Sequence, residues 1–318
     1  MTDNTLLVCS GGGHLKQLHT LAERMGIPPE DQTWVTFENG LSRSILADRE
    51  VIYAPFAAPR DAMNILRIRA LARRLLRGRT FERAISTGSS PAVAFLPLTR
   101  KRGIPSYYIE SAARATGPSV SGRLIRMSGG IPTYTQYPAW ATDRWQYRGS
   151  IFDEYEPVAE RTPRPVRRAV VSVGTQEGYR FDRLYRTLVP LLADCDEVLW
   201  QTGAQDVTPF GIADGRASVP HAELEQAVAE ADVVVAHSGT GAAITALEQQ
   251  KFPVLVPRRA MHREHVDDHQ VQIGAELDRR ELAIMRDADE LTAGDLAYAA
   301  SRTTRRVAAP PFVLEQAA

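Results

Sequence analysis

Twice along this chain a short apolar run breaks into a turn of glycines and hydroxyl residues and then into a helical pattern. No other feature restricts the fold as much. Near the start, Thr5-Leu6-Leu7-Val8-Cys9-Ser10 runs into Gly11-Gly12-Gly13-His14, after which Leu15, Leu18, Leu21 and Ala22 recur at helical spacing. In the second half, Asp232-Val233-Val234-Val235-Ala236 meets His237-Ser238-Gly239-Thr240-Gly241, and Ala242 to Gln250 reads as a helix. Strand, tight turn and helix in that order form the first unit of an open α/β sheet. Further strands are predicted at Gln32–Phe37, Glu50–Tyr53, Arg83–Ser86 and Ser106–Ile109, then at Ala169–Val173, Glu197–Gln201 and Pro253–Pro257. Between the two series, the polar stretch from Asp153 to Arg168, with Pro157, Pro163 and Pro165, suits a linker. The chain thus reads as α/β with two doubly wound parallel sheets, one in residues 1–155 and one in 156–318, the last helix able to pack back on the first domain. Ligands of such sheets sit beyond the carboxyl ends of the strands, where these Gly/Ser/Thr/His clusters fall.

The length of 318 residues, with 44% hydrophobic and 24% charged residues, suits two ordinary cores and excludes a disordered or collagen-like chain. No apolar run approaches the roughly 20 residues that span a bilayer. Met1-Thr2-Asp3-Asn4 has neither the basic nor the apolar region of a signal peptide. Cys9 and Cys195 are far apart and define no disulfide framework, so a cytoplasmic location is expected. Residues 1–150 hold 20 Lys and Arg against 11 Asp and Glu, a balance of +9, while residues 151–318 hold 18 against 27, a balance of −9. The halves either meet different ligands or attract one another. Only Lys16, Lys101 and Lys251 are lysines. That bias is not read as phosphate recognition, and no nucleic-acid partner is expected.

Gly11, Gly12 and Gly13 let the backbone turn tightly beside a helix N-terminus. Its positive potential can hold an anion. Alternatively His14, of a residue type with reference pKa about 6.5, accepts a proton from a substrate hydroxyl, or simply caps the turn. Neither a dinucleotide fingerprint nor a P-loop is present. In His237-Ser238-Gly239-Thr240-Gly241 the small residues expose amides and the hydroxyls add donors, which suits a diphosphate; a structural turn explains the glycines equally well. In the segment His262 to Gln270, a continuous helix would align His262, His265 and His269 at i, i+3 and i+7. A zinc site is conceivable there, but no further residue completes the usual ligand spacing, and hydrogen bonding to sugar hydroxyls is the other reading. Residues 61–79 combine Ile65, Ile68, Leu71, Ala72, Leu75 and Leu76 with six arginines. Such a helix lies either on an anionic membrane surface or on its own sheet.

Taken in order, these motifs resemble a known family. The first half is similar to the acceptor-side subunit, and the second to the donor-side subunit, of the heterodimeric UDP-GlcNAc transferase of dolichol-linked oligosaccharide synthesis. Bacterial exopolysaccharide glycosyltransferases and the transferase that forms lipid II are similar too. The matching pieces are Ser10 to His14; Ile109-Glu110-Ser111 with Arg114; Arg148-Gly149; Val173-Gly174-Thr175; Gln201-Thr202-Gly203; His237 to Gly241; and Val256-Pro257-Arg258-Arg259 leading to Glu264 to Gln270. Together they cover most of residues 5–275.

The resemblance implies a GT-B fold, two Rossmann-like domains facing across a cleft. It also implies inverting, metal-independent transfer from a UDP-sugar, which is the donor substrate; no cofactor is implied. By the same comparison His14 is the general base, with Glu110 second. Gly12, Gly13 and Arg114 lie on the acceptor side, the acceptor being a polyprenyl-diphosphate-linked glycan at the cytoplasmic membrane face or a small molecule. Gly239 to Gly241, with His237 and Ser238, cradle the donor diphosphate; Gly174, Thr175 and Gly203 line the nucleotide cleft; Asp268, His269 and Gln270 contact sugar or phosphates. Many relatives carry a ribose-binding Glu where this chain has Thr245, so Glu248, three residues later, is the substitute. The anchor of the eukaryotic acceptor subunit is missing, so membrane attachment would be peripheral, through residues 61–79. Three other readings stay open: a non-hydrolysing UDP-sugar 2-epimerase, a natural-product glycosyltransferase with a soluble acceptor, and a non-catalytic nucleotide-sugar-binding partner.

Overall fold

A computed structural model describes residues 4–58, 61–158, 165–174 and 178–314. The chain divides into two compact units, residues 1–153 with 309–318, and residues 154–308.

In the first unit, the strands are β1 (Thr5–Val8), β2 (Gln32–Phe37), β3 (Glu50–Ala54), β4 (Arg83–Ser86), β5 (Ser106–Ile109), β6 (Thr133–Thr135) and β7 (Gln146–Tyr147). They form a parallel sheet in the order β3-β2-β1-β4-β5-β6-β7. The order reverses between β1 and β4, which opens a crevice at their carboxyl ends. The helices are α1 (Gly13–Arg24), α2 (Gly40–Ile45), α3 (Ala62–Gly78), α4 (Ser89–Lys101) and α5 (Val120–Ser128). Gly12, with φ +65°, is the N-cap of α1; a side chain in that left-handed conformation would be strained. Leu6, Val8, Val35 and Phe95 build one core face together with Ile68, Ala72 and Leu76 of α3. Helix α3 therefore packs on its own sheet, and the apolar spacing seen in the sequence is the buried seam.

The second unit holds β8 (Tyr155–Val158), β9 (Arg168–Ser172), β10 (Glu197–Gln201), β11 (Val233–His237), β12 (Val254–Val256), β13 (Ile284–Met285) and β14 (Thr303–Arg306). Its helices are α6 (Asp182–Leu191), α7 (His221–Glu230), α8 (Thr240–Glu248), α9 (His269–Arg279) and α10 (Ala293–Ala300). A parallel sheet runs β10-β9-β11-β12-β13 and reverses between β9 and β11. Period-two alternation is plain here: Val171, Val233 and Val235 enter one core cluster, while Val170 and Val234 enter another on the opposite face. Each such buried valine contributes on the order of 1.5–3 kcal/mol.

Three expectations are corrected. The stretch read as a linker contains β8, which pairs antiparallel with β14 in a separate two-stranded ribbon. A ribbon edge tolerates Pro157, because that residue need not donate to a ladder. It is not the last helix that lies with the first unit: α10 belongs to the second, and an extended tail from residue 309 returns instead. Phe312 of that tail is buried edge-on against Tyr134. Finally, the helix imagined over His262 to Gln270 does not run through. A short 3-10 turn at Ala260–His262 ends at Arg263 with φ +57°, and α9 begins only at His269.

Candidate functional sites in the two units

At the carboxyl end of β1, the glycine turn delivers His14 into the first turn of α1. Its Nδ1 lies 2.9 Å from the carbonyl oxygen of Thr87, the residue after β4, and the Thr87 hydroxyl donates back to the His14 carbonyl at 2.9 Å. A carbonyl only accepts, so Nδ1 carries the proton of the neutral ring and the lone pair falls on Nε2. Gly88 makes room for this, since a side chain there would meet His14 Cε1 at 3.2 Å and the Tyr108 hydroxyl at 3.1 Å. The imidazole thus bridges the reversal point of the first sheet in a defined tautomer.

Glu110, at the end of β5, is in the same unit but is 1% exposed. One carboxylate oxygen accepts from the Ser111 amide (3.1 Å) and the Tyr108 hydroxyl (3.2 Å). The other accepts from the Ser119 amide (2.9 Å) and hydroxyl (3.0 Å). Ser119 is in turn the N-cap of α5. Burial pushes the Glu110 carboxyl above its ordinary value, against the pull of those hydrogen bonds. These four bonds tie the β5 loop to α5 and enclose the carboxyl that the resemblance puts second to His14. Beside it, the buried Gln17 accepts from the Ala112 amide (2.7 Å) and donates to the Ser111 hydroxyl (3.1 Å), fastening α1 to the same loop. Arg114 follows that loop and is half-buried.

In the second unit the equivalent turn begins at His237, whose Nδ1 lies 3.2 Å from the Ser172 carbonyl across the β9/β11 reversal. Burial first, and then the Arg258 charge, lower the His237 pKa to about 3, so the ring is neutral. Two glycines line this ring: a side chain on Gly174 would come 2.8 Å from Cε1, and one on Gly239 would overlap Nε2. Thr240 and Gly241 open α8, whose first amides have no helical acceptor. Ser238 is fully buried, its hydroxyl lies toward Gly274, and that hydroxyl has no hydrogen-bond partner among the described residues. Gly203 follows β10 at the same end of the sheet, and Thr175 lies outside the described residues.

Glu248 ends α8, roughly 12 Å along the axis from Thr240 at 1.5 Å per residue, and is exposed there. The structure does not bring it to the glycine turn. Thr245 instead donates to the Gly241 carbonyl within the helix at 2.9 Å.

Around β12 the motif residues brace a loop. Gln270 Oε1 accepts from the Arg258 amide, Asp268 Oδ1 from the Ala260 amide, and Glu264 Oε2 from the Arg259 amide, at 2.9, 2.9 and 3.0 Å. Gln270 is buried, His269 is half-buried and Asp268 is exposed. His269 Nδ1 pairs with Asp267, while Tyr179 stacks on His265 with centroids 5.3 Å apart. His265, Asp267 and His269 offer atoms within 4.8 Å of one another, a grouping that could hold a metal ion. His262 is not part of it.

Sequence reasoning passed over Thr87, Ser119 and Tyr108 as site-building residues. Thr87-Gly88 follows a predicted strand, and that glycine was the available signal.

The family match falls within the second unit. Residues 168–303 match the glycosyltransferase family 28 C-terminal domain. Over 122 residues, 37% of this chain, the sequence is 34% identical to the UDP-N-acetylglucosamine transferase subunit ALG13 of Eremothecium gossypii. The chain spans about half of that relative's length, 52%. Among solved structures, MurG of Acinetobacter baumannii superposes with a TM-score of 0.56 at 16% identity, covering 92% of this chain and 88% of that one. UDP-GlcNAc 2-epimerase of Methanocaldococcus jannaschii superposes with a TM-score of 0.55 at 8% identity, covering 92% and 90%. The α/β architecture with two parallel-sheet units is that of GT-B proteins. Among the described residues, no helix is long and apolar enough to cross a membrane.

Proposed function

We propose that this chain, whose residues 168–303 carry a glycosyltransferase family 28 C-terminal domain, transfers a sugar from a UDP-sugar to an acceptor hydroxyl, with inversion and without a metal ion. The observation that carries the reading is the turn from His237 to Gly241. It opens α8 at the reversal point of a sheet inside the family-matched region, and free amides at such a helix start suit a diphosphate. His14 Nε2 takes the acceptor's hydroxyl proton; the oxygen bonds to the anomeric carbon as the bond from that carbon to the diphosphate breaks. UDP then leaves from the opposite face of the sugar, its charge met by the amides at Thr240 and Gly241.

The acceptor we assign is a lipid-linked glycan at the cytoplasmic face of a membrane. Helices α3 and α5, which both pack on α4, leave Met63 (63%), Leu66 (61%) and Met127 (81%) exposed beside Arg67 and Arg123. Apolar side chains among cations suit an anionic lipid surface.

The test is calorimetric titration with UDP, followed by incubation with UDP-GlcNAc with and without an acceptor extract. Binding of UDP and acceptor-dependent UDP release are expected. An epimerised UDP-sugar formed from donor alone would establish the epimerase reading instead, and failure to bind any uridine nucleotide would end both.

A further inference from the structure

Three arginines crowd the exit from β12, and they are not equivalent. Arg183 lies against Glu264 through two parallel bonds of 2.9 and 3.0 Å, and also pairs with Asp287 and Asp289. Arg259 pairs with Asp287 at 3.1 Å. Those acids are thereby engaged, and none makes a hydrogen bond or ion pair with Arg258 among the described residues.

Arg258 is nonetheless the most enclosed of the three, at 3% exposure. Its guanidinium donates from one Nη to the Val173 carbonyl at 3.2 Å and lies 5.4 Å from the centre of the Phe181 ring, while its Nε–H is buried without an acceptor. Nearby, the buried hydroxyl of Tyr185 is also unsatisfied, and it is close enough to feel the Arg258 charge. Burial lowers the Arg258 pKa, and Glu264 acts on it only through space.

A buried cation without a counter-ion costs several kcal/mol. A carbonyl and an aromatic face offset only part of that. The position explains what offsets the rest. Arg258 follows β12, touches the end of β9 and perturbs His237 at the end of β11. It therefore stands at the carboxyl ends of three adjacent strands, beside the turn that opens α8. His237 is held neutral and brings no positive charge to this corner.

We propose that Arg258 is the counter-cation of the donor's diphosphate, a binding residue whose charge is balanced only when the nucleotide is present. This rests on the transferase reading above, and it assigns the charge to a side chain outside the glycine turn. The guanidinium's remaining donors suit phosphate oxygens, which take forked bonds from arginine.

The experiment compares wild type, R258M and R258K in titrations with UDP, uridine and inorganic pyrophosphate, alongside ligand-free melting curves. Wild type should bind UDP at least about tenfold more tightly than uridine, the scale of a charge-assisted hydrogen bond. R258M should lose most of that preference, lose pyrophosphate binding, keep uridine binding, and melt without ligand no lower than wild type. R258K should recover part of the preference. If R258M keeps the UDP-to-uridine ratio, or is too unstable to bind, Arg258 is a structural brace and the assignment falls while the transferase reading stands. If wild type binds neither UDP nor pyrophosphate, both fall.

Discussion

The His14 ring and the Thr87 hydroxyl exchange hydrogen bonds with each other's backbone carbonyls, each at 2.9 Å, across the point where the first sheet changes direction. The second unit repeats half of this device, with His237 Nδ1 against the Ser172 carbonyl. In both, a histidine at the carboxyl side of the sheet, His14 in the first turn of α1 and His237 at the end of β11, is held through Nδ1 by a carbonyl at the end of the neighbouring strand, which leaves Nε2 as the basic nitrogen. Burial and the Arg258 charge hold the His237 ring neutral.

Replacing His14 by alanine should lower turnover about 10²- to 10⁴-fold, the usual yield of a positioned general base. UDP affinity should stay near that of wild type. Parallel loss of UDP affinity and turnover in calorimetry and initial-rate assays would remove His14 from the base role.

Glu110 should behave differently. E110A leaves the Ser111 and Ser119 amides and the Tyr108 hydroxyl without their acceptor, at a cost of about 1–3 kcal/mol for each buried group. Denaturant titration should show a loss of that order or larger, whereas E110Q, if folded, should keep turnover within about tenfold of wild type. A folded E110Q with turnover reduced as far as that of H14A would assign Glu110 a proton-transfer role.

The acid limb of stability should report His237. Its folded pKa is lowered from 6.5 to about 3, so below pH 6.5 the unfolded chain binds a proton that the folded chain refuses. Stability is then fully present above pH 6.5 and falls as pH drops from there toward about 3, by up to about 1.4 kcal/mol per pH unit from this group. H237N, which keeps a donor for the Ser172 carbonyl, should give a shallower slope in that window. Identical slopes for the two proteins would show that the ring is not buried neutral.

Gly239 should not tolerate alanine. Its backbone angles are ordinary, φ −90°, so the obstacle is space, because a methyl group would overlap the pinned His237 ring. G239A should lose about 1–3 kcal/mol of stability, as overpacked sites do, together with UDP affinity. A stable variant with unchanged UDP binding would mean the ring can move aside.

A chelator tests the cluster of His265, Asp267 and His269. With the reaction carried by His14 and by helix-start amides, turnover should be the same after exhaustive EDTA treatment. Activity lost with the chelator and restored by zinc or magnesium would place an ion in the mechanism.

Local patterns were legible in the sequence and distant partners were not. The turns at Gly11–Gly13 and Gly239–Gly241 and the alternating valines show themselves within a few residues. Thr87 lies 73 residues from His14, and nothing in either segment names the other. The same holds for Glu110: a carboxylate beside a serine looks like chemistry until Ser119 and Tyr108 are seen to enclose it. Spacing misled where it assumed a continuous helix through Arg263, and proline misled where an edge ribbon accommodates it. Arg258 was visible only as one of two adjacent arginines; that it pairs with no carboxylate among the described residues becomes evident once Asp287 is found beside Arg183 and Arg259.

The returning tail has a consequence for dissecting the molecule. Pro310 accepts from the Arg24 guanidinium at 2.8 Å, and Phe312 donates its amide to the Arg24 carbonyl and fills a place against Tyr134. A fragment cut after Asp153 would therefore expose an aromatic socket and leave the Arg24 guanidinium with the Ser150 carbonyl but without that of Pro310. Separate production of the two units calls for a permuted gene, with the last ten codons moved ahead of the first strand or supplied as a peptide in trans.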